Sequence, residues 1–114
     1  MGLTLMNLHP RVQHAYLYTY MRIYAYMYEE AKLFAVLSDP ARLEILSVLA
    51  RKKGCVSELQ VRTGRNQPNI SQHLRVLRDA GLVEFRKDGR KICYSVIKPE
   101  VNELLRFARK IREK

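Results

Sequence analysis

Between Asn66 and Ile97 the hydrophobic period of the sequence changes once, from helical to alternating, and the change falls at a glycine. Ile70, Leu74 and Leu77 recur at spacings of four and three, the stripe of a helix buried on one side. Asn66 stands where such a helix is capped, and Pro68 falls in its first turn, where a missing N–H costs little. Gly81 stops it, so a helix is predicted over 67–80. Val83 and Phe85 then alternate within 82–87, and Ile92, Tyr94 and Val96 within 90–97. Asp88-Gly89 between them is a two-residue hairpin signal, and Lys98-Pro99 ends the sheet.

Upstream, residues 11–37 contain no Gly or Pro and read as one long helix. Leu17, Met21, Tyr24 and Tyr28 recur at helical spacing, as do Leu33, Val36 and Leu37. Around Tyr16–Tyr28 this helix is apolar on most sides, so most sides need covering, by a partner subunit or by the chain's own core. Ser38 or Asp39 caps a second helix, 41–50, with Pro40 at its start and Leu43, Ile45, Leu46 and Leu49 inward. Arg51-Lys52-Lys53-Gly54 ends it, since cations and then Gly suit a carboxyl end. Cys55-Val56 reads as a short extended piece. Ser57 then caps a third helix to about Thr63, with Leu59 and Val61 inward and Gly64 as its stop. Residues 100–114 form a last amphipathic helix, with Val101, Leu104, Leu105, Ala108 and Ile111 on one side. The order is α-α-(β)-α-α-β-β-α: a mostly α chain with a small β-hairpin wing, which is the winged helix-turn-helix arrangement. The 114 residues suit a single domain, with 38–97 as its core between the helices 11–37 and 100–114.

The charge is lopsided. The formal net charge is +10, yet residues 1–50 hold four basic and four acidic side chains, while 51–114 hold 17 basic and seven acidic. A basic half beside a neutral one suggests a polyanion on one face, or else a generally basic surface. Two cysteines, Cys55 and Cys93, are too few for a secreted disulfide scaffold. The start MGLTLMNLHPRVQH lacks a basic stretch followed by an apolar run, so no signal peptide is expected. Ala15–Tyr28 is only 14 residues long and carries Arg22, whereas a membrane span needs roughly 20 apolar residues. The expectation is a soluble, cytoplasmic protein that engages no membrane.

On the helix 67–80, Pro68, Asn69, Gln72 and Arg75 lie opposite the buried stripe, with Gln67, Ser71 and Arg78 on its flanks. Amide side chains pair bidentately with adenine and Arg with guanine, so this face suits the major groove of double-stranded DNA. The hairpin tip, Arg86-Lys87-Asp88-Gly89-Arg90-Lys91, sets four cations around a turn, suited to phosphates or to protecting a sheet edge.

From about Leu33 to Val96 the chain resembles the ArsR/SmtB family of winged helix-turn-helix regulators. The matching stretches are LFAVLSDPARLEILSVLA, CVSEL, QPNISQHLRVLRDAGLV and RKDGRKICYSV, in the family's order and spacing. The resemblance implies a homodimer built from the first and last helices. It further implies a two-fold symmetric operator and repression relieved by an inducer, whose identity the sequence leaves unknown. Recognition would fall on Gln67, Asn69, Ser71, Gln72 and Arg75, and wing contacts on Lys87, Arg90 and Lys91. His73, where the family commonly has His, is read as a packed structural residue.

Many members of that family hold soft metals through a Cys-Val-Cys pair, where this chain has Cys55-Val56-Ser57. A Ser hydroxyl is a poor soft-metal ligand, and arsenic(III) generally wants three thiolates. Members that bind zinc on the last helix use Asp and His, where this chain has Asn102 and Glu103. No metal or other cofactor is therefore expected, short of a site joining His9, His14 and Cys55 across a dimer. In a winged helix the stub at Cys55 pairs with the strand holding Cys93. Cys55 and Cys93 are thus a candidate redox pair, which would make the chain a thiol-redox or reactive-sulfur-responsive regulator, the alternative being two small half-buried hydrophobes.

No Ser, His and Asp stand at a catalytic spacing, and neither a Gly-rich phosphate loop nor HExxH occurs, so no enzyme is expected. A winged helix used for protein interaction is the alternative to DNA binding.

Overall fold

The computed structural model describes residues 6–113; the first five residues of the segment read for a leader, and Lys114, lie outside them. The elements are α1 (Pro10–Leu37), α2 (Pro40–Arg51), β1 (Gly54–Cys55), α3 (Val56–Thr63), α4 (Gln67–Asp79), β2 (Val83–Asp88), β3 (Lys91–Val96) and α5 (Glu100–Arg112). The chain divides into two compact units, one up to Phe34 and one from Ala35 onward.

The first unit is dominated by the body of α1. Its aromatic and aliphatic side chains are open to solvent: Tyr16, Tyr20, Tyr24, Tyr26 and Met27 are each 58–74% exposed. Tyr20 stacks on Tyr24 at 6.5 Å, Arg22 lies over the Tyr18 ring at 5.9 Å, and Lys32 over Tyr28 at 5.4 Å. These contacts run along one helix and cover little of it.

The second unit has the core. Ile45, Leu46, Leu59, Ile70, Leu74, Leu77 and Val83 are almost fully buried, at under 2% exposed. Each burial removes a whole aliphatic side chain from water, contributing about 1.5–3 kcal/mol before entropic costs. Asp39 is the cap of α2: its Oδ1 accepts from the N–H of Ala41 at 2.8 Å and of Arg42 at 3.4 Å. Ser38 instead closes α1, its hydroxyl donating to the Ala35 carbonyl at 2.7 Å. The strands form one antiparallel sheet in the order β1-β3-β2.

Three local expectations are corrected. The N-cap of α3 is Cys55 rather than Ser57, because pairing of Gly54 and Cys55 with Tyr94 and Cys93 holds Cys55 extended and lets Val56 open the helix. Val61 is 86% exposed, not inward, since it sits about 200° around the helix from the fully buried Leu59. The hairpin turn is Gly89-Arg90, not Asp88-Gly89: Asp88 is the last ladder residue and pairs with Lys91. Gly89 takes φ 65° and Arg90 stays at negative φ, as in a type II′ turn with Gly first.

Candidate nucleic-acid interface

Helix α4 is built to present one face. The Asn66 Oδ1 accepts from the Asn69 N–H at 2.9 Å and fixes the first turn. Ile70, Leu74 and Leu77 anchor the inner side against α2 and α3 at 0% exposure. Gly81, at φ 75°, lets the chain leave the helix, with its N–H bonded to the Arg78 carbonyl and that of Leu82 to Leu77. The outer side then follows from the 100° step of the helix: Gln67, Pro68, Ser71, Gln72, Arg75 and Arg78 are exposed. No carboxylate stands between Gln67 and Arg78. Asn69 departs from its companions. It is half-buried, and its Oδ1 is out of reach of solvent with no hydrogen-bond partner among the described residues.

His73 sits between the two faces and is half-buried. Its Nδ1 lies 3.4 Å from Nη1 of Arg42, while Nε of Arg42 donates to the Val36 carbonyl at 2.6 Å. Arg42 thus ties the end of α1 and the start of α2 to α4, the structural role read for His73. Partial burial raises the Asp39 carboxyl. The N–H groups of Ala41 and Arg42, with the Arg42 guanidinium beside them, outweigh that and hold it below its ordinary value of 3.8. At the other end of α3, Arg65 reaches back to Glu44 at 3.2 Å and braces the turn that leads into α4.

Lys87, Arg90 and Lys91 are all exposed at the tip of the β2–β3 hairpin, with Arg86 beside them 3.8 Å from Glu84. The base of this wing is fastened to α4. Val83 is buried, Ile97 donates to the Leu82 carbonyl at 3.0 Å, and the Arg78 guanidinium lies 5.1 Å over the Phe85 ring. Arg78 therefore stacks on the wing as well as flanking the helix face. A flank residue and a strand aromatic do not announce such a pair in sequence, since the contact depends on how the hairpin folds back.

Cys55 and Cys93 are directly opposed in the β1–β3 register and form a disulfide. The Cys55 sulfur is bonded to carbon and sulfur, so it is no thiolate ligand in this state. Among the described residues no three His, Cys, Asp or Glu side chains gather to hold a metal ion. Nor is any helix there long and apolar enough to cross a membrane.

Residues 39–84, from the cap of α2 through α4 into the first strand of the hairpin, match the model of the bacterial regulatory protein, arsR family. The HTH-type transcriptional regulator Rv0081 of Mycobacterium tuberculosis is 42% identical over 83 residues, spanning 72% of this chain and 73% of that protein. The chain belongs to the arsR family. Its fold matches the crystal structure of Rv0081 with a TM-score of 0.67, covering 72% of this chain and 83% of that one. It also matches the transcriptional repressor BigR from Xylella fastidiosa with a TM-score of 0.71 at 31% identity, covering 82% and 96%. A probable mercury resistance operon repressor from Streptomyces lividans is 40% identical over 79 residues, 69% of this chain and 63% of that protein. Membership of the arsR family accords with the winged helix read from the sequence and with a regulator rather than an enzyme.

Proposed function

We propose that this arsR-family protein is a cytoplasmic transcriptional repressor that binds double-stranded DNA as a homodimer. The observation that carries the reading is the exposed face of α4: amides, a hydroxyl and arginines without a carboxylate, on a helix whose opposite face is fully buried. Gln67, Ser71, Gln72 and Arg75 read base edges in the major groove, and Asn69 supports the first turn beside them. Lys87, Arg90 and Lys91 contact phosphates from the wing. Relatives described as repressors, such as BigR and the mercury resistance operon repressor, support the direction of control.

The second copy is argued from two faces, each on its own unit. On α1, Tyr16, Leu17, Tyr20, Met21, Tyr24 and Met27 are exposed. On α5, Val101 is buried while Phe107 and Ile111 are 60% and 85% exposed, so the apolar arc continues past what the chain itself covers. A second copy covers both and places two recognition helices about one helical turn of DNA apart. The test is a footprint on the DNA immediately upstream of the protein's own gene. Two protected half-sites about 10 base pairs apart, related by a dyad, are expected. Uniform or absent protection there and across a random duplex library refutes the reading.

A further inference from the structure

The arsR membership and the DNA reading leave the disulfide without a role. Cys55, the N-cap of α3, is buried at 7% exposure, whereas Cys93, on the middle strand of the sheet, is half-buried. Cys93 also lines a surface cavity of about 290 Å³ with Lys53, Arg86, Lys87 and Asp88. Three cations thus face one carboxylate around it, with Glu84 3.8 Å from Arg86 as the only further acid paired there among the described residues. Arg86 is the β2 partner directly opposite Cys93.

We infer that Cys55–Cys93 is a reversible thiol–disulfide site opened by small carboxylate-bearing thiols entering this cationic cavity, and that the closed bond is the form that grips DNA. The second half rests on the DNA reading above.

Access decides which sulfur is attacked. A thiolate reaching the cavity meets Cys93 and not the buried Cys55. The incoming sulfur bonds to Cys93 Sγ, the Cys55–Cys93 bond breaks, and its electron pair stays on Cys55 Sγ, which takes a proton from water. The departing sulfur lies at the start of α3, where the helix dipole favours negative charge. Glu58 opposes this, its Oε1 3.5 Å from the Cys55 N–H, but Arg62 lies 3.7 Å from that carboxylate and offsets it. A second thiol then releases Cys93, so that one protein disulfide and two thiols become two protein thiols and one small disulfide. The reverse reaction, with the small disulfide as oxidant, closes the bond.

The consequence for DNA follows from where the bond lies. It joins two residues that the β1–β3 pairing already sets opposite each other, so closing it leaves the register unchanged and fastens the wing to the start of the helix-turn-helix. β1 is only two residues long, so the bond adds a covalent tie on that side to the packing of β3 against α2 and α3. A wing fastened before binding loses less freedom on meeting phosphates and binds more tightly.

The first measurement involves no DNA: rates of reduction, per thiolate, by mercaptosuccinate (two carboxylates) and by cysteamine (an ammonium). The cavity favours mercaptosuccinate by about tenfold at low salt, and the preference shrinks in 0.5 M salt and in Lys53→Gln/Arg86→Gln. Equal rates overturn the cavity's role. The second compares oxidised, reduced-and-alkylated and Cys55→Ser/Cys93→Ser protein on the upstream DNA and on a random duplex. The oxidised form binds about three- to tenfold more tightly than both others, and the double variant ignores oxidant. Equal or weaker binding of the oxidised form overturns the grip. If no form binds any duplex, the DNA reading fails and the grip with it, while the thiol preference is judged by the first measurement alone.

Discussion

Removing the Lys91 side chain should change how binding responds to salt more than how it responds to sequence. Lys91 is exposed at the wing tip, paired through the β-ladder with Asp88, and faces no base-reading role. A homodimer carries it twice, so Lys91→Ala removes two phosphate contacts. Each contact contributes about 0.9 to the slope of log K against log salt, so the slope should flatten by about 1.8. If Lys87, Arg90 and Lys91 each meet one phosphate per subunit, the parent slope is about −5.4, an affinity loss of roughly 2000-fold between 50 and 200 mM salt. The variant should lose only about 150-fold over the same range. Fluorescence anisotropy of a labelled duplex, titrated at four salt concentrations, reads both slopes. Gln72→Ala is the control: it should weaken binding to the preferred sequence with the slope intact. A Lys91→Ala slope equal to the parent's would refute the wing's role as a phosphate contact.

Four further outcomes follow from the fold. Leu74→Ala, at a site with 0% exposure beneath the recognition helix, should lower stability by about 2–5 kcal/mol in urea unfolding. Gly81→Ala should cost about 1–2 kcal/mol by the same assay through backbone strain alone, because φ is 75° and an added Cβ meets nothing within 4 Å. Asp39 has its folded-state value below 3.8, so its contribution to stability is complete above that pH and is lost as pH falls through the lower folded value. Asp39→Asn should therefore flatten the acid limb of the stability curve and leave its shape near neutrality unchanged. Phe107→Glu with Ile111→Glu should convert a dimer into a monomer in sedimentation, and a variant that stays dimeric removes α5 from the interface.

The sequence made α4 and its exposed face readable because their signals are local. Asn66, Pro68 and Gly81 bracket α4, and the Ile70, Leu74, Leu77 stripe fixes which face is left for Gln67, Gln72 and Arg75. What it could not settle depends on partners distant in sequence. The cap of α3 moved from Ser57 to Cys55 because a β3 strand some 38 residues away holds Cys55 extended. Both Asp88-Gly89 and Gly89-Arg90 fit a hairpin, and only the Val83–Val96 register chooses between them. The inward burial of Asn69 and the stacking of Arg78 on Phe85 likewise belong to tertiary packing. The apolar girth of α1 is plain in the sequence, and its side chains are exposed in the structure.

Amide chemical shifts of isotope-labelled protein, followed as duplex DNA from upstream of its gene is added, test most directly whether helix and wing meet DNA together. Expected are the largest changes in two clusters, Gln67–Arg75 and Lys87–Lys91, appearing at the same DNA concentration and fading together in high salt. Changes confined to one cluster, or centred on α1 or α5 while both clusters stay still, would contradict a shared DNA-binding surface.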